Sequence, residues 1–139
     1  PLATELIKGR FCRMEIINVA DIAGMEFPAG RRTRVMVGPG AKLEAANFVM
    51  GHVTIYPGGS VPIHSHEQEE VYFIVEGEGS IEVGGESRAV RSGDCIYIRP
   101  QLEHVLTNSG QADMVMMFCY SPKTVAAHWA QEMKGADQA

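Results

Sequence analysis

Residues 57–86 read PGGSVPIHSHEQEEVYFIVEGEGSIEVGGE, and this stretch decides both the expected fold and the expected site. A single residue separates His64 from His66, Glu70 follows four positions later, and His104 lies further along the chain. Side chains of an extended chain repeat every second residue, so the two histidines are predicted to share one face of a strand. Imidazole nitrogens and a carboxylate oxygen are ligands for divalent transition metals. The pattern therefore predicts a metal site.

Three neighbouring glutamates, Glu67, Glu69 and Glu70, compete for the role of the carboxylate ligand. Alternation keeps Glu70 on the face of the histidines if the strand resumes after a turn at residues 67–68, and it rejects the other two. The alternative is that the histidines fell together by chance in the core or on the surface. Their i, i+2 spacing and the flanking glycine turns favour the metal, in a strand geometry unlike the helical i, i+4 pair of zinc proteases.

Two motifs carry a resemblance to a known family. Residues 58–77 read G-x5-H-x-H-x3-E-x6-G, which resembles the first motif of the cupin superfamily. Residues 93–108 resemble the second motif, with Gly93, His104 and Asn108 in register. The motifs and the spacer between them cover about a third of the chain. The chain thus resembles the small, single-domain cupins of the conserved-barrel (monocupin) type.

The second motif departs from the family pattern at two positions. Arg99 stands where the first proline is usual, and Gln101 replaces the usual turn glycine. The metal histidine His104 is retained. The departures therefore concern the shape of the loop beside that histidine and its contacts with a substrate.

The resemblance implies an all-β fold, the cupin double-stranded β-helix or jelly-roll barrel, here with one C-terminal α-helix. It implies a divalent transition metal on His64, His66, Glu70 and His104, with iron or manganese favoured and zinc, nickel or copper as alternatives. Cupins include dioxygenases, decarboxylases, isomerases and lyases that act on small organic acids, diketones or sugars. Small cupins commonly form homodimers through an N-terminal strand or an exposed sheet face.

Composition excludes several classes of protein. The 139 residues are 45% apolar and 21% charged, which is typical of one globular domain. A net charge of −5 argues against nucleic acid or an anionic membrane as the main partner. No apolar run approaches the roughly 20 residues that span a bilayer, and no signal-peptide pattern is seen. We expect a cytoplasmic protein whose partner is a small-molecule substrate.

The chain divides into three predicted parts. Residues 1–13 form an N-terminal arm or a cloning remnant, with Met14 as an alternative native start; residues 14–120 form the barrel; and residues 121–139 form a helix and tail. Alternation and glycine turns predict strands, less clearly at the first two ranges, over residues 14–19, 32–37, 47–56, 71–75, 80–83, 87–90, 95–98, 105–108 and 114–120.

The C-terminal helix has a predicted start and a predicted apolar stripe. Ser121 can cap it, and Pro122 suits its first position. Val125, Trp129 and Met133 fall at i, i+4 and i+8, so they share one face. This face is expected to pack on the barrel wall or on a partner subunit, and the alternative is that the helix closes the ligand mouth.

Further residues are candidates for the interior. Tyr72 shares the face of Glu70, His52 is a candidate acid or base, and Arg99 is a candidate for gripping a substrate carboxylate. Each has an ordinary alternative as a packing or solvated residue, as have Tyr56 and Tyr97. The basic run at residues 31–34 could attract an anion, but it is interpreted as a solvated edge because the chain is acidic. The cysteines Cys12, Cys95 and Cys119 are interpreted as reduced thiols, with a catalytic Cys95 as the less favoured alternative.

Two functional hypotheses remain at this point. The first is a metal-dependent enzyme, an oxidoreductase or lyase acting on a small oxygenated or anionic molecule. The second is a non-catalytic binding or sensing barrel with a structural metal. The sequence shows no helix-turn-helix ahead of the barrel, which disfavours a DNA-reading regulator.

Overall fold

A computed structural model describes residues 14–123 and 127–136 of the chain. A short 3-10 helix over Val19–Asp21 precedes the sheets. The regular elements of these residues are β1 (Met25–Phe27), β2 (Arg31–Val37), β3 (Val49–Ile55), β4 (Ser60–His64), β5 (Glu69–Glu76), β6 (Glu78–Val83), β7 (Glu86–Arg91), β8 (Cys95–Ile98), β9 (His104–Thr107), β10 (Met114–Ser121) and helix α1 (Ala127–Ala136).

The strands form two antiparallel sheets. The larger has the order β1-β2-β3-β10-β5-β8, and the smaller has the order β4-β9-β6-β7. Successive strands alternate between the sheets at β3 to β4, β4 to β5, β5 to β6 and again at β7 to β8, β8 to β9 and β9 to β10, which is the jelly-roll pattern. The predicted all-β jelly roll with one C-terminal helix is confirmed.

The core lies between the facing sides of the sheets, as strand alternation requires. In β3, Val49, Val53 and Ile55 are buried and alternate with partly exposed residues. In β10 the buried residues include Met114 and Met116. Burying a side chain of this size stabilises the fold by about 1.5–3 kcal/mol. The inward face of each strand is therefore set by its apolar residues.

Most strand predictions are confirmed to within two residues at each end, but the first is wrong. Residues 14–19 form no strand, because the Asn18 side chain accepts a hydrogen bond from the Ala20 amide at 2.9 Å and caps the 3-10 helix instead. The predicted two-glycine turn is confirmed. Gly84 and Gly85 join β6 to β7 with φ of 56° and 83°, which glycine adopts readily.

The predicted start of the C-terminal helix is also wrong. Ser121 ends β10, and its hydroxyl donates a hydrogen bond to the Asn47 carbonyl at 2.9 Å, so it does not cap a helix. Trp129 packs against the core as predicted, whereas Val125 lies outside the described residues.

Within residues 14–123 and 127–136, no helix has the length and apolar content needed to cross a membrane. The cytoplasmic location stays a prediction.

Asn108 fastens the end of β9 to its surroundings. Its side chain is 1% exposed. Nδ2 donates hydrogen bonds to the carbonyls of Ile55 and Ala112, and Oδ1 accepts one from the Gly110 amide, all at 2.9 Å. A buried amide with these partners is costly to truncate, because three hydrogen bonds would be lost, one of them fully buried.

We predict that Asn108→Ala lowers the free energy of unfolding by about 2–4 kcal/mol, at roughly 1 kcal/mol for each lost hydrogen bond plus the cavity. Chemical denaturation followed by circular dichroism measures this. The matched control is Ser109→Ala at the exposed neighbouring position, which should change stability by less than about 0.5 kcal/mol. Equal stability of the two variants would contradict the assigned role.

Candidate metal centre

Both sheets contribute to one cluster of potential ligands. His64 ends β4 and His104 begins β9, and the sheet register pairs them directly. Glu70 comes from β5 of the other sheet, while His66 lies in the loop between β4 and β5. One ligand atom from each residue lies within 4.8 Å of all the others. The four residues predicted from the sequence therefore converge, although His66 does so from a loop and not from the predicted strand.

The choice among the glutamates follows from burial. Glu70 is 5% exposed and lies inside the cluster, whereas Glu67 and Glu69 are exposed. Only the Glu70 carboxylate among these three belongs to the cluster. This is the outcome that alternation predicts.

Backbone carbonyls orient the three imidazole rings. Nδ1 of His64 lies 2.7 Å from the Pro62 carbonyl oxygen, Nδ1 of His66 lies 2.9 Å from that of Gln68, and Nδ1 of His104 lies 2.9 Å from that of Leu102. A carbonyl oxygen only accepts hydrogen bonds, so each Nδ1 carries the proton and donates it. Each Nε2 of a neutral ring is then left with a lone pair, which is the form that binds metals.

The Nε2 atoms face a negatively charged oxygen. Those of His66 and His104 lie 3.2 Å and 3.3 Å from Glu70 Oε1. Nε2 of His104 is buried and has no hydrogen-bond partner of acceptable geometry. The Nε2 lone pairs and the negative carboxylate of Glu70 repel each other unless a positive charge lies between them. A divalent cation bound by all four residues supplies that charge, so the donor set fits a transition metal.

The pKa values of the cluster are shifted in different directions by burial and by the neighbouring charges. Burial lowers the pKa of His64 to about 4, so this ring stays neutral. Burial also lowers the pKa of His66, but the hydrogen bond and charge of Glu70 outweigh it and leave the value raised. Burial alone would raise the pKa of Glu70, yet the imidazoles of His104 and His66 hold it below its ordinary value. Glu70 is therefore an ionised ligand.

A small cavity lies between the sheets beside Glu70. Its volume is about 20 Å³, which is room for roughly one water molecule. Its walls include Arg31, Thr33, Glu70, Tyr72, Phe118 and Trp129. We call this cavity the lumen.

Of the three predicted catalytic candidates, Tyr72, Arg99 and His52, only Tyr72 lines the lumen. It is 3% exposed, and its ring centroid lies 5.8 Å from that of His104. Burial, then the negative charge of Glu70, raises its pKa well above the ordinary value, while the positive charge of Arg31 opposes this rise. The phenol therefore remains protonated and is a hydrogen-bond donor.

The structure places His52 and Arg99 away from the lumen, contrary to expectation. The buried residues Val53 and Ile55 turn their side of β3 inward, so His52 lies on the opposite side, where burial and Arg34 lower its pKa. Arg99 follows the end of β8 and is exposed. The apolar residues of β3 decide which of its faces points inward, and His52 does not lie on that face.

Among the other tyrosines, Tyr120 is buried and lines the lumen, whereas Tyr56 and Tyr97 do not. The hydroxyl of Tyr56 donates to Glu26 Oε1 at 2.7 Å, and that of Tyr97 donates to Glu69 Oε1 at 3.2 Å. Cys95 is an exposed free thiol in β8, and Cys119 is a half-buried free thiol in β10. Cys12 lies outside the described residues.

Arg31 is the interior residue that the sequence analysis misplaces. The basic run at residues 31–34 is predicted to be a solvated edge, yet the Arg31 side chain is 1% exposed. Its guanidinium lies 4.1 Å above the centre of the Phe27 ring. The signal that would find it is alternation, because Arg31 shares the inward face of β2 with buried Thr33.

Gln101 explains how the loop beside His104 keeps its shape without the usual glycine. Its φ is +68°, in the left-handed region that glycine favours. Its amide donates a hydrogen bond to the His66 carbonyl at 2.8 Å. The loop before β9 is thereby tied to the loop that carries a candidate ligand.

Comparison with known proteins identifies the family of this chain. A family model described as "Cupin domain" matches residues 51–120. The oxalate-binding protein of Thermotoga maritima is 36% identical over 59 residues, which are 42% of this chain and 49% of that protein. The 5-nitrosalicylic acid 1,2-dioxygenase of a Bradyrhizobium species is 31% identical over 86 residues, which are 60% of this chain and 42% of that protein. The chain spans about half the length of the curated relatives it matches.

A solved structure supports the fold. The crystal structure of an RmlC-like cupin from Shewanella frigidimarina superimposes with a TM-score of 0.68 and 16% sequence identity. The match covers 81% of this chain and 95% of that one.

We predict that the purified protein binds about one divalent metal ion per chain and that His104→Ala weakens binding by roughly tenfold or more, because a buried ligand is lost. Metal content after dialysis, measured by inductively coupled plasma mass spectrometry, checks this. His52→Ala is the matched control, since it removes an imidazole from the outward face of β3 and should keep the metal. Full retention of metal by His104→Ala would contradict the assignment.

Proposed function

This chain belongs to the cupin family, and we propose that it is a metal-dependent enzyme acting on a small oxygenated or anionic organic molecule. The observation that carries the proposal is the convergence of His64, His66, Glu70 and His104, with Glu70 also lining the lumen. Four protein ligands leave up to two positions of an octahedral metal for a substrate or water. A metal site with open positions is typical of catalysis, whereas a structural site is usually closed.

Iron or manganese is the metal we favour. Three imidazoles with one carboxylate form a mixed nitrogen and oxygen set, and the carboxylate broadens the range toward manganese. Zinc, nickel and copper are the alternatives that the same donors would accept. Once bound, the metal would supply Lewis acidity, or redox chemistry if it is iron or manganese.

The residues of the chain itself have distinct proposed roles around that metal. The backbone carbonyls that accept from the imidazole Nδ1 atoms keep the ligands in the binding tautomer. Tyr72 would donate a hydrogen bond to a substrate oxygen, because its raised pKa keeps the phenol protonated. The apolar wall formed by residues such as Phe118 would exclude water.

The names of two relatives support an anionic substrate. One is an oxalate-binding protein, and the other is a dioxygenase of 5-nitrosalicylic acid. Both names refer to small organic acids. We therefore propose small carboxylic acids as the substrate class to test first, ahead of diketones and catechols.

A second candidate function is a non-catalytic binding barrel with a structural metal. The observation that favours it is the similarity to the oxalate-binding protein of Thermotoga maritima, whose name describes binding and no reaction. Turnover of a bound compound separates the two functions, since only the enzyme consumes its ligand.

We predict turnover of at least one compound by protein reconstituted with Fe(II) or Mn(II). Oxygen uptake and mass spectrometry would follow a panel of organic acids, diketones and catechols. Tyr72→Phe should lower kcat by roughly tenfold or more, if the phenol donates to a substrate oxygen in the transition state, and leave metal content unchanged. Binding without turnover of any compound would favour the second candidate, and failure to bind any metal would overturn both.

We also propose that the protein is a homodimer that pairs through the outer face of the larger sheet. On this face Phe73 and Val75 of β5 are each 42% exposed, and Tyr97 of β8 is 53% exposed. Neighbouring exposed apolar side chains of this kind mark interaction surfaces.

We predict a mass of two chains in solution for the wild type and of one chain for Phe73→Glu, since a buried, unpaired charge disfavours association. Light scattering after size-exclusion chromatography measures both. Arg88→Glu on exposed β7 of the other sheet is the control for an added negative charge and should stay dimeric. A monomeric wild type would contradict the proposal.

A further inference from the structure

We propose that Arg31 binds the carboxylate of a small organic acid in the lumen, at the position that the Glu132 carboxylate of helix α1 fills in this structure. This inference rests on the proposed function, because it names the substrate class of the same lumen. Three observations support it. Arg31 is buried, its guanidinium forms two hydrogen bonds with the Glu132 carboxylate, and Trp129 lines both the lumen and a larger pocket.

Arg31 is a permanent positive charge that the fold has taken out of water. Its side chain is 1% exposed, its Nη1 donates to the Ser60 carbonyl at 3.3 Å, and its guanidinium lies above the Phe27 ring. Arginine does not lose its proton in proteins, so a buried arginine needs an anion beside it. Arg31 lines the same lumen as Glu70 and Tyr72.

The anion beside Arg31 is the carboxylate of Glu132, which lies in the C-terminal helix α1. Nη2 of Arg31 donates to Glu132 Oε2 at 2.6 Å, and Nη1 donates to Glu132 Oε1. Two parallel hydrogen bonds between a guanidinium and a carboxylate are a geometry that any carboxylate can reproduce. A substrate carboxylate could therefore replace Glu132 without leaving either the charge or the donors of Arg31 unsatisfied.

Cavity volumes require α1 to move before a substrate enters by this side. The lumen of about 20 Å³ is too small for an organic acid. Outside it lies an open pocket of about 400 Å³, within the size range of small-molecule sites. Thr33 and Trp129 line both, so the Trp129 side chain, which packs edge-on against Phe118 at 5.8 Å, is part of the wall between them.

These features give a consistent account of entry and recognition. Exchange of Glu132 for a substrate carboxylate on Arg31 would release the carboxylate that holds α1 to the barrel. Displacement of Trp129 would then join the outer pocket to the lumen. The substrate class is a small carboxylic acid with a second oxygen function, because Arg31 takes one group while the metal site beside Glu70 takes the other.

The chain contains its own reporter for this exchange, since Trp129 is its only tryptophan. We predict that succinate and benzoate shift Trp129 emission to longer wavelength and increase its quenching by acrylamide, whereas succinamide and benzamide do not. In Glu132→Gln the carboxylate concentration for half-maximal binding, measured by calorimetry, should fall about tenfold, because the internal competitor is weakened.

Two further variants make the test specific. Arg31→Met combined with Glu132→Gln should bind the acids at least roughly tenfold more weakly than Glu132→Gln alone, with metal content unchanged. Glu44→Gln is the matched control, since it breaks the exposed ion pair with Lys123 by the same chemical change and should behave as wild type. If the double variant fails to fold, the comparison of Glu132→Gln with Glu44→Gln still decides.

The inference is overturned if neither acid changes the Trp129 emission, or if the amides change it as much as the acids do. It is also overturned if Glu132→Gln binds the acids no more tightly than the wild type does. Metal content and turnover are measured on the same samples, which separates the two proposals. A carboxylate effect in protein that binds no metal would uphold Arg31 and reject the proposed enzyme. Metal-dependent turnover with no effect of Glu132→Gln on acid binding would support the proposed enzyme and reject the role of Arg31.

Discussion

The buried carboxylate of Glu70 constrains the whole structure, because a charge that is 5% exposed must be balanced from nearby. The imidazoles around it come from another sheet and a loop, so no single strand could build the site. The direct pairing of His64 with His104 in the smaller sheet presents two rings to β5 across the core. The cluster therefore forms only where the two sheets pack together.

A second buried charge gives the lumen its chemical character. Arg31 and Glu70 line the same cavity, with protonated Tyr72 between apolar walls. With a cation among the histidines, the lumen would present positive charge from two separate sources. Such a space repels cations and favours a molecule with two acidic or oxygenated groups. The helix α1 completes this environment by contributing the carboxylate that Arg31 needs.

Most of the strands could be predicted because alternation and glycine turns mark them, although residues 14–19 form no strand. The His-x-His spacing with Glu70 and the second motif with His104 indicated the ligands. His52 and Arg31 were misplaced because the apolar residues of β3 and the alternation of β2, not the polar side chains, decide which side of each strand faces inward. A buried arginine is expected only when its anion is known, and Glu132 lies 101 residues away in the chain. Distant pairing of this kind leaves no local pattern.

The carbonyls that fix the imidazole tautomers affect which parts of the sequence of such a protein can change during evolution. Each lies two residues from its own histidine, in Pro62, Gln68 and Leu102, so the ligands are held by their immediate chain neighbours. Mutations that reshape the walls can therefore accumulate while these carbonyls keep the three rings oriented. A scaffold arranged in this way is free to explore new substrates, which makes it evolvable.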